Sequence, residues 1–117
     1  MKILILGAGR VGSSLASKLS RDEYEVSIVD LNKDKLLRLQ EDFDLATEIG
    51  HASHPRTLEK AGADEDTIVL AVTNSDECNI TSCQIAKSKF NVKKTICRLS
   101  DSSYINSLEA FGKDSID

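Results

Sequence analysis

An apolar run, Lys2-Ile3-Leu4-Ile5-Leu6, ends in Gly7-Ala8-Gly9-Arg10-Val11-Gly12 and passes directly into a helical stretch from Ser13 to Ser20. Few folds accept a strand that turns into a helix through Gly-x-Gly-x-x-Gly, because each glycine answers a separate steric demand. Gly7 allows the tight turn, Gly9 lets a phosphate approach the backbone with no Cβ in the way, and Gly12 lets helix and strand pack closely. The amides at the start of such a helix lack intrahelical partners, and the macrodipole places about half a positive charge there, so an anion is held without a lysine. Glycines in this spacing also collect in ordinary turns, so the pattern gains its meaning from the downstream sequence.

Downstream of the helix lies a second apolar strand, Glu25-Val26-Ser27-Ile28-Val29-Asp30. It ends in a carboxylate about 20 residues past the glycines, where a dinucleotide fingerprint places an acid for ribose hydroxyls. A carboxylate there accepts hydrogen bonds from a ribose diol and repels a 2′-phosphate, and Leu31 and Asn32 offer no Arg to receive one. The residues therefore favour NAD(H) or an adenine nucleotide over NADP.

The rest of the chain repeats the same alternation. Val11, Leu15 and Leu19 form an apolar stripe on the first helix, expected to lie on the sheet. Asn32 is placed to cap a second helix marked by Leu36, Leu39 and Phe43. A weaker strand, Asp44 to Gly50, leads through His51-Ala52-Ser53-His54-Pro55 into a short helix ending near Gly62, with Pro55 suited to its first position and His54 or Ser53 as cap. Thr67 to Val72, continuous and β-branched, reads as an interior strand covered on both faces. Thr73-x-x-Asp76 resembles a capping box ahead of a fourth helix, on which Ile80, Cys83, Lys87 and Phe90 keep helical spacing. Thr95 to Leu99 is a fifth strand, and Asp101 to Phe111 a last helix stopped by Gly112.

Strands alternating with helices across short connections predict an α/β, Rossmann-like, doubly wound parallel sheet with helices on both faces. Right-handed crossovers give the strand order 3-2-1-4-5, with a ligand crevice where the order reverses between strands 1 and 4. The 117 residues fit a single domain, 1–117, and 40% hydrophobic with 29% charged residues is a globular mixture. No apolar run approaches the roughly 18 residues of a membrane span, and Met1-Lys2 enters a strand rather than a signal peptide, so a cytoplasmic chain without direct membrane insertion is expected. A net charge of −4 with no basic block marks no nucleic-acid surface.

Several residues invite sharper readings that the sequence does not support. His51-x-x-His54 is a workable spacing for two metal ligands, yet no Cys or third His lies nearby and a helix-capping loop accounts for both, so no metal site is expected. Asp76 and Glu77 are adjacent on a helix, about 100° apart, and read as favourable charge at a helix start rather than a catalytic pair. Cys78, Cys83 and Cys97 are odd in number with no C-x-x-C, and read as small core residues. The phenylalanines, Phe43, Phe90 and Phe111, close helices as core residues. Arg98, just past a strand end beside the crevice, is read as a ligand for phosphate through charge-assisted hydrogen bonds.

The chain resembles the N-terminal RCK or KTN domain of Trk/Ktr-type potassium uptake regulatory proteins, in particular their TrkA-like branch. The resemblance is carried by Met1 to Gly12, Val29-Asp30, Gly50-His51-Ala52-Ser53-His54-Pro55, Ala71-Val72-Thr73-Asn74-Ser75-Asp76-Glu77-Cys78-Asn79 and Ile96-Cys97-Arg98. The first two are generic to Rossmann domains; the loop after strand 3 and the Thr-Asn-x-Asp-Glu-x-Asn run after strand 4 are more specific. It implies a cytoplasmic regulatory subunit that binds NAD(H), with ATP or ADP in related proteins. Such a subunit lies on the inner face of the cell membrane through a membrane potassium-translocating subunit, and self-assembles as a dimer or larger ring.

Carried over by position, the resemblance makes Gly7, Ala8, Gly9, Arg10 and Val11 the pyrophosphate holders and Asp30 the ribose ligand. Thr73 and Asn74 reach the nucleotide across the switch point, and Arg98 its phosphate side. Gly12 completes the cofactor-binding set, and no catalytic residue is implied. His51 stands where many relatives carry Asp, and no ligand role is assigned to it. Family members continue into a smaller C-terminal RCK domain, so a chain ending at Ser115-Ile116-Asp117, where a sixth strand is short or cut off, is expected to be truncated before it.

Two functions compete. One is a regulatory nucleotide sensor that gates potassium uptake and is not an enzyme. The alternative is the cofactor-binding half of an NAD-dependent dehydrogenase, which needs a general acid or base and a substrate pocket beside the nicotinamide. Both histidines sit in one loop and a single domain leaves no room for a substrate pocket, so the regulatory reading is preferred.

Overall fold

The structure is a computed structural model and describes residues 1–22, 24–101 and 103. In chain order the elements are β1 (Lys2–Leu6), α1 (Arg10–Arg21), β2 (Glu25–Asp30), α2 (Lys33–Asp42), β3 (Ala46–Ile49), α3 (Pro55–Lys60), β4 (Thr67–Ala71), α4 (Asp76–Phe90) and β5 (Lys94–Cys97). The helix expected beyond Asp101, its stop at Gly112 and the strand expected at Ser115-Ile116-Asp117 lie outside the described residues.

The five strands are all parallel in the expected order β3-β2-β1-β4-β5. β1 is the middle strand because it can be buried on both faces: Leu4, Ile5 and Leu6 are at most 1% exposed. Full burial of each contributes about 1.5–3 kcal/mol. Alternation then divides the core in two. Ile3, Ile5, Val26, Ile28, Leu70 and Val72 point to the face covered by α1 and α2, where Ala16, Leu36 and Leu39 meet them. Leu4, Leu6, Val29, Val69 and Ala71 point to the face covered by α3 and α4, where Leu58, Cys83 and Ala86 meet them. Helices on both faces, as expected, leave the C-terminal strand ends open to solvent at one edge.

Two local expectations are corrected. The line that α1 buries is Gly12 and Ala16, not Val11, Leu15 and Leu19. The two leucines only flank the core, and Val11 is 37% exposed. Small residues let the helix axis approach the sheet, and Leu15 and Leu19 pack against the core from one side of that line. On α4 the expected line holds: Ile80 and Cys83 are buried and Lys87 and Phe90 half-buried at the rim, with Asn79, Ser82 and Ala86 buried beside them. The cap of α4 is Ser75, whose Oγ accepts from Cys78 N at 3.1 Å, rather than Thr73. Thr73 still lies in the bend after β4, two residues before the cap position.

Other expectations hold. Asn32 Oδ1 accepts from Lys35 N at 3.2 Å and caps α2. Pro55 opens α3, with His54 at the cap position but making no side-chain cap bond. Cys83 is fully buried, and Cys78 and Cys97 are partly buried against the same core cluster. The Cys97 thiol is held below its ordinary range chiefly by a hydrogen bond from Cys83. Phe43 packs against the core from the end of α2 and carries the Arg21 guanidinium over its ring, 5.5 Å from the centroid, so its role extends beyond the core packing expected of it.

Candidate nucleotide-binding cleft

At the C-terminal edge of the sheet the loops leaving β1 to β5 enclose a cleft of about 830 Å³. That volume falls within the range of about 300–1,000 Å³ common to small-molecule and cofactor sites. Its floor is the β1–α1 turn. Gly7 has φ +109°, a conformation disfavoured for side chains, and a Cβ there would stand 3.0 Å from Thr73 Cα. This is where the turn off β1 passes against the end of β4. Gly12 is stricter, since a Cβ would fall 1.7 Å from Gly7 O. Gly9 is the reverse: a Cβ there would meet nothing within 4 Å, because the position faces the open cleft.

The start of α1 is the second feature. Among the described helices of ten or more residues, α2 and α4 each have a side-chain cap and acids in the first turn, whereas α1 has neither. Its first-turn amides thus carry their partial positive charge toward the cleft without a side chain to absorb it. Space at Gly9 and uncapped amides beside it suit a phosphate.

Asp30 stands at the end of β2, where its carboxylate braces the turn. Oδ2 accepts from Ala8 N at 2.7 Å and Oδ1 from Asn32 N at 2.8 Å. Each oxygen keeps a lone pair, so the carboxylate is oriented by the backbone while still able to accept from a ligand. Gly50 N donates to Asp30 O at 3.1 Å and brings the β3–α3 loop alongside. In that loop Ser53 N donates to His51 Nδ1 at 3.3 Å and Ser53 Oγ lies 2.9 Å from the same nitrogen. His51 Nδ1 is therefore an acceptor within its own loop, and among the described residues no group of three or more metal-ligating side chains converges.

The opposite wall is built from the ends of β4 and β5. Thr73, Asn74 and Arg98 line it, as do Ser75, Glu77 and Cys78 from the start of α4. The Arg98 side chain is exposed and, among the described residues, in no ion pair. Behind this wall is Asn79, the last residue of the Thr73–Asn79 run and one to which the sequence alone assigns no role. Asn79 is fully buried; its Oδ1 accepts from Thr73 N at 2.9 Å and from Thr73 Oγ1 at 2.7 Å. Its Nδ2 donates to Thr73 O at 3.2 Å and to Arg98 O at 2.9 Å. An Asn on a helix reads as a surface residue unless its burial is known; the one available signal was that spacing from Ile80 and Cys83 places it on the inward face.

Of the ten expected site residues, Gly7, Gly9, Arg10, Val11, Asp30, Thr73, Asn74 and Arg98 line the one cleft. Ala8 and Gly12 do not: Ala8 is buried with its amide on Asp30, and Gly12 is the helix-packing contact. Lys35, from the first turn of α2, also lines the cleft on the Asp30 side. The absence of a cation at positions 31 and 32 thus did not describe that end of the site completely.

Residues 3–116 match the family model of the TrkA-N domain. The chain belongs to the TrkA-N family. Over 113 residues it is 44% identical to the Trk system potassium uptake protein TrkA of Vibrio alginolyticus, covering 97% of this chain and 25% of that protein. The chain thus spans about a quarter of the length of that curated relative. Solved structures with the same fold include the Shewanella denitrificans Kef CTD in AMP-bound form. It has a TM-score of 0.77 at 22% identity and covers all of this chain and 70% of that one. They also include the GsuK channel bound to NAD, with a TM-score of 0.75 at 21% identity, covering 95% of this chain and 20% of that one. No described helix of this TrkA-N domain is long and apolar enough to cross a membrane.

Proposed function

We propose that this TrkA-N domain binds NAD(H), or an adenine nucleotide such as ATP or ADP, in the cleft. Within a longer protein it passes the bound state to a membrane potassium-translocating partner. The observation that carries the reading is the pairing of an open position at Gly9 with the uncapped start of α1, next to a carboxylate already oriented by Ala8 and Asn32. The pyrophosphate is assigned to the Gly7–Val11 turn, the adenosine ribose to Asp30, and the far side of the ligand to Thr73, Asn74 and Arg98. Structural neighbours named for bound NAD and AMP support the ligand class.

Regulation of potassium uptake is inferred from the relatives' names together with the ligand class. Dimers or larger rings, a cytoplasmic location at the inner membrane face and a following C-terminal domain belong to the same proposal. Hydride transfer has no observation in its favour, so the domain is proposed to be a sensor rather than an enzyme. NAD(H) is preferred to NADP because the Asp30 carboxylate, assigned here to the ribose, would repel a 2′-phosphate; Lys35 lines the same end of the cleft.

Calorimetry with NADH, NAD, ATP, ADP and NADPH tests the reading. NADH is expected to bind one per chain and more tightly than NADPH, and Gly9→Asp to remove binding. Equal affinity of Gly9→Asp and the unaltered chain would move the site elsewhere.

A further inference from the structure

We propose that Asn79 and Asp76, one turn apart at the start of α4, form a latch that couples ligand in the cleft to the chain leaving β5. The proposal rests on the nucleotide-binding reading of the cleft. Asn79 has one acceptor oxygen and two donor hydrogens, and all its bonds are made: two received from Thr73, one given to Thr73 O and one to Arg98 O. A buried amide satisfied in this way fixes its partners, because displacing either leaves a buried polar group unpaired. It therefore ties the end of β4 to the end of β5, and both ends are cleft wall.

Asp76 extends the tie by one step. Its Oδ1 accepts from Ser100 N at 2.9 Å and its Oδ2 from Asp101 N at 2.8 Å, bonds strengthened by the carboxylate charge. Asp76 is not itself part of the cleft lining. Residues i and i+3 share a helix face, and the 15-residue α4 is a stiff platform for both. Thr73, Arg98, Ser100 and Asp101 are thereby held to one helical turn. The chain leaving β5 begins here, so a ligand that grips Thr73 or Arg98 favours the closed latch and orders the exit.

Linkage makes the proposal quantitative. A ligand that favours the closed latch by some factor must bind the open latch more weakly by the same factor. Amide hydrogen exchange at Ser100 and Asp101, with and without NADH, reads the first; calorimetry of Asp76→Asn reads the second. NADH is expected to slow exchange at both amides about 5- to 10-fold, and Asp76→Asn to weaken NADH by a similar factor. The sign is diagnostic: removing a negative charge near an anion site would on electrostatic grounds tighten binding, so weakening reports the latch. Asn79→Asp, which turns oxygens toward Thr73 O and Arg98 O, is expected to weaken NADH at least tenfold. Unchanged exchange in β1 shows that either variant is folded.

NADH binding that leaves exchange at Ser100 and Asp101 unaltered, or an Asp76→Asn variant that binds as well or better, overturns the latch alone. No NADH binding by the unaltered chain overturns the latch together with the reading beneath it.

Discussion

Replacing Gly12 by Ala isolates the packing role of the glycine turn from its ligand role. The new Cβ would lie 1.7 Å from Gly7 O and 2.8 Å from Gly7 C, both backbone atoms, so no rotamer relieves the overlap. Even a tight contact near 3.0 Å requires α1 and the turn to separate by more than about 1 Å, and Ala16 would leave its buried seat with them. Overpacking of this kind costs about 3 kcal/mol, while exchanging Gly for Ala within a helix returns about 1 kcal/mol. The net loss is about 2 kcal/mol, or about 8 °C in Tm for a domain of this size.

Gly9→Ala is the control. Gly9 has φ −76° and open space at its Cβ position, so stability should stay within about 0.5 kcal/mol. NADH affinity should nevertheless fall about tenfold, about 1.4 kcal/mol, because the methyl stands where the phosphate would. Thermal unfolding followed by circular dichroism, with calorimetry on the same samples, measures both. A Gly12→Ala chain that unfolds at the unaltered temperature would refute the packing argument, and a Gly9→Ala chain that loses stability but keeps its affinity would reverse the assignment of the two glycines.

Single contacts give further expected outcomes. Ser75→Ala removes the α4 cap and should cost about 1 kcal/mol by denaturant titration, whereas Thr73→Val should leave the cap bond to Cys78 in place. Lys2 Nζ donates to Asp64 Oδ2 at 2.6 Å, and that bond chiefly holds the Asp64 carboxyl below its ordinary range. A depressed carboxyl stabilises above its unfolded pKa, and the contribution disappears as pH falls through the folded one. Asp64→Asn should therefore unfold earlier than the unaltered chain at pH 7, with the gap closing below about pH 4; a gap unchanged down to pH 2 would contradict the pairing. Arg98→Ala should leave the unfolding midpoint nearly unmoved, since an exposed Arg in no ion pair with the described residues contributes little. Reconstituted with the potassium-translocating partner proposed above, the same change should blunt the proposed response of potassium flux to NADH.

Much of the fold was legible because its signals are local and periodic. β2 begins and ends at Glu25 and Asp30 as the apolar run does, and the strand order follows from short right-handed crossovers. Asp30 was legible from its distance to the glycines. The hidden features depend on neighbours distant in sequence. The stripe Val11-Leu15-Leu19 ranks by size, whereas the buried line Gly12-Ala16 is chosen by how closely α1 can approach the sheet. Thr73 and Ser75 are both acceptable caps, and only the length of the bend after β4 selects Ser75. Asn79 became visible once Thr73 and Arg98 were brought to the same wall, and Lys35 once α2 was laid beside Asp30.

The most direct test of the account is a crystal structure of the domain with NADH. The pyrophosphate is predicted on the Gly7–Val11 turn within hydrogen-bond distance of the first amides of α1, with the adenosine ribose hydroxyls on the Asp30 carboxylate. A ligand bound elsewhere, or a pyrophosphate held off the turn by side chains alone, would contradict it.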